Sequence, residues 1–385
     1  MILASEAVPS ELVRRVHVAE PGPDAVQDIC KGLGPGPLSL VAVFAAPGGD
    51  FAALIAGLSA ALDGACIIGC VTAGEIFGGY QDGGIVAIAL PASHFETETV
   101  LIPDLNALNP DATVRDIIRR RAALTATAPH WQNEFAILLV DGLSRREDAV
   151  VAMVMHGLGQ VPLFGGSSGD GTRFASTAVA YQGRVMPDVA VLTCVRTICP
   201  VKVFSLDNLT PTERRMVVTR ADPEARIVHE INAEPAASEY ARLLGKDAGQ
   251  MDTFTFAAHP VVVRFGGHHH VRAIQRVTDD GALVFFSAID EGMVLTLATS
   301  EPMAGHLESQ FAALSAQAVP DTIIAFDCIL RRIEAEQKQQ GGAVSRVLAD
   351  HNVVGFSTYG EQYSGLHINQ TMTGVAIYPP GAVVT

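Results

Sequence analysis

Basic residues are few and scattered: 26 Lys and Arg stand against 41 Asp and Glu in 385 residues, a formal charge of -15, and no Lys/Arg block occurs. Nucleic acid and anionic membrane are therefore poor partners. No apolar run is long enough to span a bilayer, and the opening MILASEAVPSELVRR has no basic segment leading into an apolar one. A cytoplasmic protein is the expectation. Cys30, Cys66, Cys70, Cys194, Cys199 and Cys328 form no CxxC pair and mostly fall in apolar runs, which reads as small buried hydrophobes in a reducing compartment rather than a zinc or redox site. A CxxCH attachment motif and a Walker A loop are also absent, which excludes covalent attachment of a cofactor through that motif and a phosphate cradle of that type.

What is present supports large cores. Apolar residues make up 49% against 17% charged, and the length exceeds what one hydrophobic core usually serves, so two domains are expected. Short β-like runs alternate with helical spacing: strands at 39–45, 65–72 and 83–90 with a helix at 51–63; strands at 135–142 and from 161 with a helix at 145–159; strands at 322–328, 353–361 and 373–378 with a polar helix at 329–339. The order of elements repeats three times.

Each copy runs from a strand into a hydroxyl residue, any residue, a glycine and an acid: Thr72-Ala73-Gly74-Glu75, Ser167-Ser168-Gly169-Asp170 and Thr358-Tyr359-Gly360-Glu361. Gly69 and Gly355 stand three residues before the hydroxyl in two copies, while Gly165 and Gly166 are offset in the other. Glycine suits a sharp turn or close approach, and strand carboxyl ends are where open α/β sheets bind ligands. Thr72, Glu75, Ser167, Asp170, Thr358, Glu361, Asn369 and Gln370 are thus candidate ligand groups. The same residues also suit plain turns with local side-chain bonds. The fold expected is α/β, two units of mixed sheets flanked by helices, whose repeated β-α-β-β elements converge on one cleft; segment 355–374 should pack beside 69–75 and 165–171.

Between the second and third copies the chain turns β-rich. A strand at 216–222, a strand, turn and helix over 225–245, and strands in VVVRFGG, HHVRAIQRV and ALVFFSAI form a second unit. RIVHEINAEPAASEYARLL, VVVRFGGHHHVRAIQRV and GFSTYGEQYSGLHINQTMTG resemble the C-terminal part of FIST-domain sensory proteins, and GCVTAGEIFGGYQDGGIVAIAL with LFGGSSGDG resembles the N-terminal part. The resemblance implies a FIST N-terminal domain at 28–222 and a FIST C-terminal domain at 223–378, and a ligand-sensing module that signals in trans. A homodimer is a candidate assembly, although no residue pattern marks an interface. The histidines before VRAIQ resemble those of the haem-binding, nitric-oxide-sensing branch, whose partners are histidine kinases or cyclic-di-GMP enzymes.

Haem iron needs a neutral imidazole in an apolar pocket. On an extended strand His268 and His270 share a face with Arg272, and His269 points to the other; His270, with Arg272 near, is the first choice for a haem b ligand. His367, grouped with Asn369, is the rival, and His229 and His259 also flank apolar runs. For any single one of these histidines an ordinary hydrogen-bonded or exposed side chain is the commoner reading. The alternative is a receptor for a small polar ligand such as an amino acid, without haem: its pocket would be small and polar, whereas a haem pocket would be walled by apolar side chains with one histidine inside. The loop hydroxyls with His367 and Glu361 or Asp170 could supply a nucleophile, base and orienting acid, but catalysis is not expected, because no G-x-S-x-G elbow is read and these loops suit hydrogen bonding to a bound molecule better than exposing one activated oxygen.

Overall fold

The computed structural model describes residues 12–247, 249, 251–265 and 268–384, without the side chains of Thr253, Phe265 and His268. Gly266 and Gly267, expected at the mouth of the histidine strand, lie outside the described residues.

The first repeat comprises β1 (Arg14–Val18), α1 (Ala25–Leu33), β2 (Leu38–Ala45), α2 (Phe51–Ala61), β3 (Cys66–Val71), a hairpin of β4 (Glu75–Phe77) and β5 (Tyr80–Gln81), and β6 (Ile85–Pro91). The second has β7 (Phe95–Ile102), α3 (Pro110–Thr127), β8 (Asn133–Val140), α4 (Glu147–Leu158), β9 (Leu163–Ser167), a hairpin of β10 (Val179–Tyr181) and β11 (Arg184–Met186), and β12 (Ala190–Thr197). The third starts with β13 (Val201–Leu206). An insert follows: β14 (Leu209–Asp222), β15 (Ile227–Ile231), β16 (Glu234–Pro235), α5 (Ala236–Leu244), α6 (Thr253–Ala258), β17 (Val261–Phe265), β18 (His268–Arg272), β19 (Ile274–Val277), β20 (Leu283–Phe285) and β21 (Val294–Ser300). The third repeat then resumes with α7 (Met303–Leu314), β22 (Thr322–Cys328), α8 (Ile329–Gln337), α9 (Gly341–Asp350), β23 (Val353–Thr358), the hairpin β24 (Glu361–Tyr363) and β25 (Leu366–Ile368), and β26 (Met372–Ile377).

Local chemistry starts the helices where the sequence says. Asp50 caps α2 by accepting from Ala53 N at 2.9 Å, and Asn109 caps α3 with Pro110 at its first turn.

Three six-stranded sheets share one plan. Each has a parallel pair, β2 with β3, β8 with β9 and β22 with β23, flanked on one side by its own antiparallel strand β6, β12 or β26. On the other side lies a hairpin from a different repeat. The hairpin β4–β5 of the first repeat pairs with β23 of the third, β10–β11 of the second with β3 of the first, and β24–β25 of the third with β9 of the second. The exchange is cyclic, so the three repeats close into one threefold-like body.

The inner faces of all three sheets meet in one core. There Phe44 and Phe326 each lie 4.5 Å, centroid to centroid, from Phe356, and Phe164 lies 5.1 Å from Phe326. Burying such rings supplies much of the apolar area removed from water. The outer faces are covered by α1 and α2, by α3 and α4, and by α7 and α9. The insert forms an eight-stranded sheet with its own core under α5. It lies against the carboxyl ends of the parallel strands, where Val271 and Phe286 pack with Ala73, Ile329 and Tyr359. The units share sheets and loops as the repeat predicts. Among the described residues no helix is long and apolar enough to cross a membrane, and Cys70, Cys194, Cys199 and Cys328 are buried thiols.

Candidate functional site

The three turns converge at the end covered by the insert, through matching backbone bonds. Ala73 N donates to Ser357 O at 2.9 Å, Gly169 N to Val71 O at 2.9 Å, and Tyr359 N to Ser167 O at 3.3 Å. These bonds equate Thr72 with Ser168 and Thr358, which corrects the sequence register of the second copy by one residue. With Ser168 as the counterpart, Gly69, Gly165 and Gly355 fall in line. Each faces the neighbouring parallel strand so closely that a Cβ would press on a carbonyl oxygen, of Val43, Leu138 and Ala325 respectively.

The correction also separates the acids. Glu75 stands opposite Phe356 and Glu361 opposite Gly166, but the matching place opposite Cys70 holds Val179. Asp170 instead occupies the place of Gly74 and Gly360, and residues 168–178 make a longer excursion than either other turn.

Glu75 and Glu361 are buried and satisfied from within. Thr72 Oγ1 donates to Glu75 at 2.5 Å and Gly83 N at 3.2 Å; the Thr358 hydroxyl and Thr371 Oγ1, the latter at 2.8 Å, donate to Glu361. Burial pushes the Glu75 carboxyl up to about 7 and that of Glu361 up to about 8, against those bonds. Asp170 goes the other way. Burial raises it, but bonds from the Tyr359 hydroxyl and from Ser176 N and Ala175 N, both at 3.0 Å, outweigh burial and hold it below the usual range. Tyr359 in turn accepts from Asp170 N at 3.0 Å and Phe174 N at 3.3 Å, and its ring stacks on Phe174 at 4.3 Å. One tyrosine of the third repeat thus shapes the excursion of the second.

The other sequence candidates occupy the same buried end. Gln370 donates to Ala257 O at 2.8 Å and Asn369 to Tyr359 O at 3.4 Å. Ser167 accepts from Gln362 Nε2 at 3.0 Å. One spacing corrects the sequence reading that no such elbow occurs: Gly165-Gly166-Ser167-Ser168-Gly169 has the G-x-S-x-G form of a nucleophile elbow. Ser167 is fully buried and followed by the excursion rather than a helix, so it lacks the exposed strand-to-helix turn of that motif. His367 is buried with Nδ1 at 3.4 Å from Gln362 Nε2, and Gly360 lies so close to its ring that a Cβ would strike it. On β18 His269 is exposed while His270 and Arg272 are half-buried, and the side chain of His268 lies outside the described residues. Burial lowers the affinity of Arg272 for its proton.

Beside the converged turns opens a pocket of about 550 Å³, within the size range of small-molecule sites. It is lined by the loop after β8 (Leu143, Arg145), by Arg173 and Phe174 of the excursion, and by Arg226, Arg276 and Phe286 of the insert. Arg226 is buried, bonded to Glu147 at 2.7 Å and to the Phe286 carbonyl oxygen. No sequence-predicted ligand group lines it. Arginines spread over more than a hundred residues carry no shared spacing, and so no sequence signal marked them. A second pocket of about 470 Å³, between α1, α2 and the end of β2, is mostly apolar, with Pro21, Val26, Pro47, Phe51 and Leu54 in its wall. Among the described residues no cluster of three His, Cys, Asp or Glu is placed to hold a metal ion.

A threefold-like α/β body with a sheet seated over its converged turns and a polar pocket at that junction defines a ligand-receiving protein. Residues 39–234 match the FIST N domain and residues 236–364 the FIST C domain, and the chain belongs to the FIST family. FIST domains are sensor domains of signal transduction that bind small ligands. A comparison with curated proteins finds no match.

Proposed function

We propose that this protein is a receptor for a small polar ligand, bound without turnover in the pocket between the second repeat and the insert, with a signalling protein as its receiver. The lining carries the reading. In a chain of formal charge -15, Arg145, Arg173, Arg226 and Arg276 converge on one cavity with Glu147 as its acid, and the aromatic rings of Phe174 and Phe286 form an apolar wall. Such a lining focuses a positive potential on an otherwise acidic molecule. The family resemblance supports a histidine kinase or cyclic-di-GMP enzyme as the receiver.

A haem-based nitric oxide sensor is the second reading, and one observation favours it. Arg272 is half-buried with its Nε unpaired, two residues along β18 from the half-buried His270, so His270 would hold the iron and Arg272 a propionate. The lining of the polar pocket and of the apolar one counts against it: among the described residues neither is lined by a histidine.

A thermal-shift panel of amino acids, organic acids and sugars on the full chain, with hemin titrated in parallel, separates the two. The proposal expects a panel member at about a hundredfold over Kd to raise Tm by about 3 °C, with the shift abolished in Phe174→Ala. A Soret band lost in His270→Ala, with no polar ligand active, would replace it with the haem reading.

A further inference from the structure

The polar pocket is asymmetric in how its arginines are held. Arg226 is tied to Glu147 and to the Phe286 carbonyl, and Arg173 donates to Asp170 O at 3.2 Å. The side chains of Arg145 and Arg276 have no hydrogen bond or ion pair among the described residues, yet both residues line the cavity. Arg145 belongs to the loop between β8 and α4; Arg276 belongs to β19 of the insert. Two guanidinium groups without partners therefore face one cavity from two separately built units.

The backbone marks the same place. Arg145 (φ 57°), Phe174 (φ 51°) and Arg226 (φ 58°) all adopt the left-handed conformation that side chains with a Cβ disfavour. Three such residues in one pocket wall mark a place where the surroundings hold the chain against its preference, as binding sites do.

We infer that the ligand is a small dicarboxylate, one carboxylate taken by Arg145 and the other by Arg276, so that the bound molecule ties the insert to the second repeat. This rests on the pocket assignment above and narrows it. Guanidinium is the donor best matched to carboxylate, through two parallel N–H bonds. Gln275 supplies a neutral polar group in the wall, and Arg226 of the same wall is already neutralised by Glu147. Two guanidinium groups without partners on one cavity match a ligand with two carboxylates, whereas a ligand with one charge would engage only one of them.

Isothermal titration of the full chain with malonate, succinate, glutarate and adipate, against butyrate and alanine, tests it. At least one dicarboxylate should bind about tenfold or more tighter than butyrate. Arg145→Gln and Arg276→Gln should each bring that ligand down to the butyrate level while changing butyrate affinity by less than about threefold for at least one of them. Both side chains are exposed and without partners, so neither change threatens the fold. Dicarboxylates binding no tighter than butyrate or alanine, or binding that survives both substitutions, would overturn the inference; if alanine or butyrate still binds and Phe174→Ala abolishes it, the pocket assignment stands alone. Absence of binding by every dicarboxylate also overturns it, and the broader ligand panel then decides the pocket assignment separately.

Discussion

The first and third repeats close their turns alike and the second does not. Thr72 with Glu75, and Thr358 with Glu361, make the same short turn, a hydroxyl donating to a carboxylate three residues on, and both acids are sealed from water. The second repeat has Ser168 in the hydroxyl place, Val179 in the acid place, and between them the excursion that carries Arg173 and Phe174 into the pocket wall. A body with internal threefold order thus has a pocket beside one of its three turns, and the difference lies in one lengthened turn. The two closed turns are scaffold; the lengthened one is where recognition can reside.

The likeness among repeats is tested hardest at the glycines. Gly69→Ala, Gly165→Ala and Gly355→Ala each press a methyl group onto a carbonyl of the adjacent strand, so each should cost about 3 kcal/mol or more, read as a lowered denaturant midpoint at unchanged slope. A variant that loses under about 1 kcal/mol would break the proposed equivalence of that repeat.

Tyr359→Phe sharpens the contrast. It removes the hydroxyl that bonds Asp170 and the amides of Asp170 and Phe174, at a cost of about 2 kcal/mol. Hydrogen exchange should quicken in 170–176, while Thr72→Val should leave that segment unchanged.

The acids should respond to pH with opposite signs. In the folded state burial raises the Glu361 carboxyl to about 8 and that of Glu75 to about 7, from an ordinary value of 4.5. The unfolded state therefore releases its proton first, and stability falls as pH rises from about 4.5 towards those values. Asp170 is lowered in the folded state, so its contribution is present above the unfolded pKa, about 3.9, and is lost as pH falls through the folded one. Glu361→Gln should flatten the decline between pH 5 and pH 8 in urea melts, with Glu75→Gln flattening a narrower window; an unchanged slope in Glu361→Gln would show that the carboxyl is not held protonated.

Much of this body was legible in the sequence. The apolar strands and the spacing of Gly69 and Gly355 identified three copies and their convergence, because buried parallel strands read as continuous apolar runs. The exchanged hairpins did not show: strands of two or three residues, such as Tyr80–Gln81 and Leu366–Ile368, are too short to display a period. Adjacent glycines at Gly165 and Gly166 and adjacent serines at Ser167 and Ser168 hid the register of the second copy. The crossover before β23 is α9 rather than the polar helix of 329–339; that helix, α8, carries Arg331, buried and bonded to Asp327 at 2.7 Å, so its charges read as solvent-facing although they are paired inside. The polar loop residues converge at one end as the repeat implies, where Glu75, Asp170 and Glu361 are bonded from within while Asn369 Oδ1 and Gln370 Oε1 are buried without a partner among the described residues; the pocket arginines come from four separate places in the chain that only the fold brings together.

The central claim is that the ligand enters the pocket beside the lengthened turn and touches both the second repeat and the insert. Hydrogen exchange of the full chain with and without saturating dicarboxylate, taking the tightest binder of the series, tests it most directly. The account predicts slowed exchange in 142–147, 172–176 and 275–286 together, with 45–54 unchanged. Protection confined to 45–54 or to 268–272, or no protection in either half of the pocket wall, would contradict it.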